Sequence, residues 1–98
     1  MSQRGNGSAR AACRLEIKNR LGLHARAAAL LVQTVARFDA EITVSKDDQA
    51  VNGKSILGLM MLAAGQGSCI DVVAQGLDAQ AALDAISALV DAKFNEEA

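Results

Sequence analysis

The stretch CRLEIKNRLGLHARAAALLVQTVARF (residues 13–38) changes its hydrophobic period halfway along. In residues 13–18 apolar and polar side chains alternate, which is typical of a half-buried β-strand. Residues 19–22 contain the turn-forming residues Asn and Gly. In residues 25–38 the apolar side chains recur at helical spacing. The stretch therefore predicts a strand, a loop and a helix, and His24 stands where the loop becomes the helix.

Periodicity in the rest of the chain predicts five more elements. Alternating segments predict strands at residues 40–46, 49–52 and 69–75. Apolar segments predict helices at residues 55–64 and 79–94. Ser55 and Asp78 precede these helices and are residue types that favour the N-cap position.

The element order β-α-β-β-α-β-α has no internal repeat. Strands separated by helices and by one hairpin predict an α+β fold. We expect a four-stranded antiparallel sheet with three helices on one face, because each amphipathic helix then buries its apolar stripe. Residues 1–12 begin with a run of Gly, Ser, Asn, Gln and Arg and predict a disordered extension, which leaves residues 13–98 as a single domain.

The composition argues against several classes of function. The formal net charge is -1 and the chain has no Trp or Tyr, which argues against a nucleic-acid partner. No stretch approaches the ~20 apolar residues that cross a bilayer, and the first ten residues lack the apolar core of a secretory signal. Cys13 and Cys69 predict two buried thiols in a reducing cytoplasm. They lack further Cys or His neighbours, so we expect no metal site and no cofactor.

His24 is the only histidine, and its position favours phosphoryl chemistry. The first backbone N–H groups of a helix, here those of Ala25, Arg26 and Ala27, have no partner within the helix and attract anions. Arg26 adds a guanidinium that binds phosphate through two donors. These features predict His24 as a nucleophile, whereas the simpler alternatives are a surface residue or a helix cap. No residue is placed to form a hydrolytic triad with it, so we expect transient phosphoryl carriage and not stand-alone catalysis.

Two segments, LGLHARAA (21–28) and VNGKSILGLMMLAAGQGS (51–68), resemble the histidine-containing phosphocarrier protein (HPr) family of the bacterial phosphoenolpyruvate-dependent phosphotransferase system. The resemblance covers nearly the whole predicted domain and implies the family's open-faced β-sandwich. It also implies that His24 is phosphorylated on Nδ1 and that Arg26 is the arginine that accompanies it. The family often has Pro after this arginine, where this chain has Ala27. We expect little loss from this difference, because Ala is an excellent helix former.

The same resemblance implies a regulatory residue and a docking surface. Ser55 matches the serine that a dedicated kinase modifies in some bacteria, in addition to its expected role as a helix cap. Ile56, Leu57 and Met60 resemble the family's apolar docking patch for partner proteins. Ala29 is small and close to the histidine, so we expect it to allow close approach by a helix of a partner.

Three hypotheses of function follow from the sequence. The first is a cytoplasmic, monomeric phosphocarrier that accepts a phosphoryl group from enzyme I on His24 and passes it to a IIA-type acceptor of the sugar or nitrogen branch. The second is a regulatory protein-binding adaptor controlled through Ser55 by a serine kinase and phosphorylase. The third is a small ferredoxin-like ligand-binding domain, which explains the element order but not the GLHAR segment (22–26).

Overall fold

The computed structural model describes residues 9–96, which form four strands and three helices. The strands are β1 (Arg10–Glu16), β2 (Glu41–Lys46), β3 (Gln49–Asn52) and β4 (Cys69–Gln75). The helices are α1 (Ala25–Val35), α2 (Ile56–Met61) and α3 (Ala79–Asp91). The sheet has the order β1-β4-β2-β3, and every neighbouring pair is antiparallel. This arrangement confirms the predicted α+β fold.

The central strand β4 shows how the sheet separates its two faces. Its buried residues alternate along the strand and are Ile70, Val72 and Ala74. The register pairs Val72 with Cys13 of β1 and with Val44 of β2, so the apolar side chains of three strands share the face that the helices cover. On the other face, Arg14 and Asp71 form an exposed ion pair at 3.1 Å.

The core between the sheet and the helices consists of aliphatic side chains. Its largest fully buried members come from the sheet side and from all three helices, and they include Ile17, Leu31, Leu59, Ile70 and Ile86. Truncating such a residue to Ala removes buried surface and leaves a cavity, at a cost of about 2–5 kcal/mol. The helices α1 and α3 are in contact, and both carry buried alanines, which are Ala27, Ala28, Ala79 and Ala82.

The first two helices end earlier than the periodicity predicts. The helix α1 ends at Val35, and Phe38 lies in the following turn, where it packs half-buried against the core. The helix α2 ends at Met61 and not at residue 64, because Ala63 adopts a φ of 52°, which a right-handed helix does not contain.

The third helix is followed by a reversal of the chain. The helix α3 ends at Asp91, and the next turn at Lys93–Asn95, here called the terminal turn, has positive φ values at all three residues. This conformation costs an L-residue roughly 1–2 kcal/mol. Phe94 is only 2% exposed, and its burial, worth about 1.5–3 kcal/mol, offsets part of that cost. The predicted helix to Phe94 is therefore too long, although Phe94 belongs to the core as predicted.

The N-terminus of α3 also differs from the prediction. Asp78 occupies the N-cap position of α3, but its side chain forms no capping hydrogen bond. Its Oδ2 instead accepts a hydrogen bond from the backbone N–H of Asp39, at 2.8 Å. Asp78 therefore ties the loop before β2 to the start of α3.

The first strand starts earlier than the predicted domain boundary. Arg10 and Ala12 pair with Gln75 and Val73 of β4, so residues 10–12 belong to the sheet and not to the predicted extension. The backbone groups of these residues find their partners on β4, a contact that composition alone does not reveal. Residues 1–8, the rest of that extension, lie outside the described part of the chain.

The two cysteines lie too far apart along the sheet to form a disulfide. Cys13 pairs with Val72 and Cys69 pairs with Glu16, so they are three positions apart along antiparallel strands, or about 10 Å. Both thiols are free. Cys13 is half-buried, but Cys69 is exposed at the start of β4, so the prediction of two buried thiols was wrong for Cys69. Within residues 9–96 no helix is long and apolar enough to cross a membrane.

Candidate functional site

The loop between β1 and α1 is held by the segment that precedes β4. The backbone N–H of Ile17 donates to Ser68 O, and the N–H of Gly67 donates to Ile17 O, each at 2.8 Å. Closer to the helix, the N–H of Leu23 donates to Ala64 O at 2.9 Å. These bonds fix the position at which α1 begins.

Gly22 is required for the loop to approach residues 64–65. Its φ is +66°, in the left-handed region that favours glycine. A Cβ atom at this position would lie 2.4 Å from the carbonyl oxygen of Ala64 and 2.8 Å from the Cα atom of Gly65. The close backbone contact two residues before His24 therefore requires Gly22.

His24 occupies the N-cap position of α1, where the sequence predicts it. Its backbone is extended, with φ -75° and ψ 179°, and its side chain is half-buried. The ring forms no capping hydrogen bond; its Nδ1 atom lies 3.0 Å from the carbonyl oxygen of Gly22. Because a carbonyl only accepts hydrogen bonds, this contact is a hydrogen bond in the tautomer that carries the proton on Nδ1. The interpretation of the His24 side chain as a helix cap is therefore wrong.

The N–H groups at the start of α1 remain available. The first N–H of this helix with a backbone acceptor is that of Ala28, which donates to His24 O at 2.8 Å. Across residues 9–96, nothing accepts a hydrogen bond from the N–H groups of Ala25, Arg26 or Ala27. The positive end of the helix dipole lies at the same place. Ala27 retains a backbone donor that the family's proline lacks.

The Arg26 side chain is exposed and forms no ion pair or hydrogen bond with any residue from 9 to 96. It lies on the first turn of α1, two residues after His24. Its guanidinium is therefore free to contact an anion at the helix start.

The C-terminal segment reaches the loop before His24 through the carboxylate of Glu96. Asn19 is 1% exposed, and its Nδ2 donates to Gly22 O at 2.8 Å and to Glu96 Oε2 at 3.2 Å. The other carboxylate oxygen of Glu96 accepts from the backbone N–H of Leu21 at 3.3 Å. Sequence analysis identified neither Asn19 nor Glu96, because they are 77 residues apart and no spacing pattern connects them.

The pKa of Glu96 lies below its usual value of 4.5. Partial desolvation raises this pKa, but hydrogen bonds from Asn19 and from the backbone of Leu21 and Arg20 stabilise the carboxylate and outweigh the desolvation. The charge of His24 lowers it further. Glu96 is therefore ionised at neutral pH.

Ser55 caps α2 as predicted. It occupies the N-cap position, and its Oγ accepts a hydrogen bond from the N–H of Gly58 at 3.0 Å. The side chain is half-buried. A Cβ at Gly58 would lie 3.1 Å from this Oγ and 3.2 Å from the Cβ of Val51, which explains a glycine inside a short helix.

An apolar surface on α2 lies beside the histidine loop. The three residues predicted for docking are exposed: Ile56 by 41%, Leu57 by 68% and Met60 by 40%. Met61 and Leu21 also expose more than half of their surface. These five residues are called the apolar patch below. Ala29, the fourth predicted docking residue, is half-buried on α1.

A shallow cavity lies beside His24, and Leu21 of the apolar patch contributes to its lining. It has a volume of about 250 Å³ and is lined by Leu21, Leu23, His24, Ala63, Ala64 and Gly65. Ala63 and Ala64 come two and three residues after the end of α2, so the cavity lies between the segment that follows α2 and the imidazole. In the part of the chain from 9 to 96, no group of three His, Cys, Asp or Glu residues could hold a metal ion.

Comparison with known proteins agrees with this fold and site. Residues 11–92 match the family described as "PTS HPr component phosphorylation site". The phosphocarrier protein NPr of Shewanella violacea is 54% identical over 80 residues, which span 82% of this chain and 88% of the relative. The solved HPr-C-His structure from Thermoanaerobacter tengcongensis has a TM-score of 0.85 and 45% identity, and the match covers 90% of this chain and 99% of that one.

A third relative is described with a different role. Crh of Bacillus subtilis, described as a catabolite repression protein and as a domain-swapped dimer, is 39% identical with a TM-score of 0.69. That match covers 95% of this chain and 97% of Crh.

The fold and the site define a small α+β carrier protein with one histidine at a helix start. This chain belongs to the HPr family of phosphotransferase-system phosphocarriers. Its NPr and HPr relatives are named phosphocarrier proteins, so the chain is a carrier and not a stand-alone catalyst. The hypothesis of a ferredoxin-like ligand-binding domain was wrong.

Proposed function

We propose that His24 accepts a phosphoryl group from enzyme I and passes it to a IIA-type acceptor. The observation that supports this proposal is the lone imidazole at the start of α1, beside three N–H groups and the Arg26 guanidinium, none of which has a partner among residues 9–96. A phosphoryl group carries close to two negative charges at neutral pH and needs such donors.

The transfer exchanges one bond to phosphorus for another. The bond between phosphorus and the donor breaks, the donor keeps the electron pair, and a ring nitrogen of His24 forms the new bond. The accepting nitrogen must offer a lone pair, which Nδ1 lacks while it donates a proton to Gly22 O. Acceptance at Nδ1, which the family resemblance implies, therefore requires this contact to open and the proton to move to Nε2.

Arg26 and the helix start receive the transferred charge. The N–H groups of Ala25, Arg26 and Ala27 donate to phosphoryl oxygens, and the guanidinium neutralises part of the charge. No side chain has to remove a proton from a hydroxyl or from water. The partner proteins therefore supply the remaining chemistry.

The apolar patch docks both partners in turn. Ile56, Leu57 and Met60 supply adaptable apolar contacts, and Ala29 leaves room on α1 for a helix of the partner. Partners that use one surface bind one at a time, which fits a carrier. The protein then acts as a cytoplasmic monomer, and its two free thiols suit a reducing compartment.

The test is a transfer assay with purified components. Incubation with enzyme I and phosphoenolpyruvate should add one acid-labile phosphate to this protein and none to His24→Ala. Adding IIA-type proteins of the sugar branch and of the nitrogen branch in separate reactions should discharge it to one of them. A wild-type protein whose mass stays unchanged in the first step would contradict phosphoryl carriage.

A second candidate function is a regulatory adaptor controlled through Ser55. The supporting observation is that Ser55 Oγ lies at the start of α2, directly before the apolar patch. A phosphate on this oxygen would end its acceptance from the N–H of Gly58 and place negative charge beside the docking surface. The related protein Crh of Bacillus subtilis is described as a catabolite repression protein.

The two functions predict different effects of Ser55→Asp. For the adaptor, this substitution changes which partners bind, measured by calorimetry, while His24→Ala leaves those affinities unchanged. For the phosphocarrier, His24→Ala abolishes transfer. Partner affinities that are equal for Ser55→Asp, Ser55→Ala and wild type would contradict the adaptor.

A further inference from the structure

The C-terminal segment reaches the loop before His24 through a single side chain. Glu96 accepts hydrogen bonds from both the Asn19 side chain and the Leu21 backbone, at 3.2 and 3.3 Å. A second tie lies at the other end of the same loop, where Lys18 Nζ contacts Asp91 Oδ1 at 2.8 Å. The end of α3 and the segment after it therefore hold the loop at two points.

A chain of hydrogen bonds runs from Glu96 to the imidazole. Asn19 uses one Nδ2 group for two acceptors, Glu96 Oε2 and Gly22 O. The same Gly22 oxygen accepts from His24 Nδ1 at 3.0 Å. The carbonyl that orients the imidazole is thus itself oriented by Asn19, and Asn19 is oriented by Glu96.

Two unfavourable local features accompany this hydrogen-bond chain: a buried oxygen of Asn19 without a partner in residues 9–96, and a strained backbone turn before Glu96. Asn19 is nearly fully buried and its Oδ1 has no partner in residues 9–96, so the side chain is placed for its Nδ2 donors alone. The terminal turn holds three consecutive residues at positive φ, which directs Glu96 back towards the loop. Besides the burial of Phe94, the contact of Glu96 with the loop is a second interaction that this strained backbone makes possible.

We propose that Glu96, acting through Asn19 and Gly22 O, is a positioning residue that fixes the orientation and the proton-bearing nitrogen of the His24 imidazole before phosphoryl transfer. The significance for transfer rests on the proposed function of His24. The effect of Glu96 on the His24 ring does not depend on phosphorylation, so ring positioning and phosphoryl transfer can be tested separately.

The main variant is Glu96→Gln, which has the same shape but offers only one acceptor oxygen. Glu96→Ala removes both acceptors. Glu41→Gln is the matched control, because Glu41 is exposed at the opposite end of the sheet. Thermal unfolding of all four proteins identifies any general loss of stability.

The first measurement uses the unphosphorylated protein. Nitrogen-15 NMR of the ring reports which nitrogen carries the proton, and amide exchange reports the hydrogen bond of Leu21. In Glu96→Ala we expect Leu21 exchange to accelerate roughly five-fold, as the loss of one hydrogen bond implies. We also expect a smaller fraction of His24 to carry its proton on Nδ1. Glu96→Gln should reduce this fraction to a lesser extent. Glu41→Gln should match the wild type.

The second measurement is the initial rate of phosphoryl transfer from enzyme I. We expect roughly a three- to ten-fold higher rate in Glu96→Ala, because the Nδ1 contact that has to open for transfer is weakened, with a thermal midpoint lowered by no more than the roughly 4–8 °C that the loss of one hydrogen bond implies. The proposal is overturned if Leu21 loses protection while the His24 ring signals stay as in the wild type. It is also overturned if the ring signals change while the transfer rate stays at the wild-type value. If the wild type accepts no phosphate, the proposed function fails, and the ring signals alone then decide whether Glu96 positions His24.

Discussion

The Nδ1 atom of His24 lies 3.0 Å from the carbonyl oxygen of Gly22, two residues earlier in the chain. The contact holds the imidazole at the N-cap position without using it as a cap, so within residues 9–96 the first N–H groups of α1 have no acceptor and can bind an anion. The resting state therefore protects the nitrogen that the family resemblance implies as the acceptor. Phosphoryl transfer includes the opening of this contact.

The first prediction concerns the tautomer of the resting protein. In the neutral imidazole of His24 we expect the proton on Nδ1, because Gly22 O is an acceptor at hydrogen-bond distance. Nitrogen-15 NMR of a histidine-labelled sample measures this directly, since the chain has one histidine. A dominant Nε2-bound proton in the free protein would show that the contact does not form in solution.

The second prediction concerns Gly22. Gly22→Ala should lower the free energy of unfolding by more than the roughly 1 kcal/mol that a positive φ costs alanine, because its Cβ would collide with Ala64 O. Gly67→Ala is the matched control, since Gly67 has φ +89° and a Cβ added there would meet no described atom within 4 Å. Denaturant unfolding gives the difference between the two variants, which is the cost of the collision alone. Equal losses of unfolding free energy in the two variants would mean that the loop and residues 64–65 separate without cost to accommodate the Cβ atom.

These positions show what the sequence can and cannot reveal. His24 at a helix start and Ser55 as a cap were predictable, because both depend on local periodicity and on short-range chemistry. The helix ends were not, since Ala63 and Phe94 adopt left-handed conformations that tertiary packing imposes on residues without that preference. The contribution of Glu96 was not predictable either, because its contact with Asn19 joins residues 77 positions apart in the chain and depends on the tertiary fold.

The third prediction concerns Arg26. Arg26→Ala should slow phosphoryl acceptance by about ten-fold or more, because one charge-assisted contact to the phosphoryl group is lost. Arg26→Lys should recover part of the rate, since it restores the charge but not the two-donor geometry. Arg37→Ala removes the same charge beyond the other end of α1, where Arg37 lies over the Phe38 ring at 5.8 Å, and should transfer at the wild-type rate. Equal rates for Arg26→Ala and Arg37→Ala would exclude a specific role.

The fourth prediction concerns the apolar patch. Leu57→Glu should weaken binding to enzyme I by about ten-fold or more, because it places a charge in the centre of an apolar contact. Leu77→Glu is the control, since both leucines are 68% exposed and Leu77 lies outside the patch, between β4 and α3. Calorimetry measures the affinities, and both variants should unfold at the wild-type temperature. Similar losses from both substitutions would argue against the patch as the docking surface.

The last prediction concerns the pH dependence of the contact between Glu96 and the loop. The folded-state pKa of Glu96 is lowered from 4.5, so the carboxylate binds its proton less readily in the folded protein than in the unfolded chain. The stabilisation is therefore fully present above pH 4.5 and is lost as the pH falls through the lowered folded-state pKa. Carbon-13 NMR of the Glu96 carboxyl group should give a midpoint below 4.5, and the Leu21 amide signal should shift over the same pH range, since its N–H donates to that carboxylate. A midpoint at or above 4.5, or a Leu21 signal that does not follow the titration, would show that the carboxylate does not hold the loop.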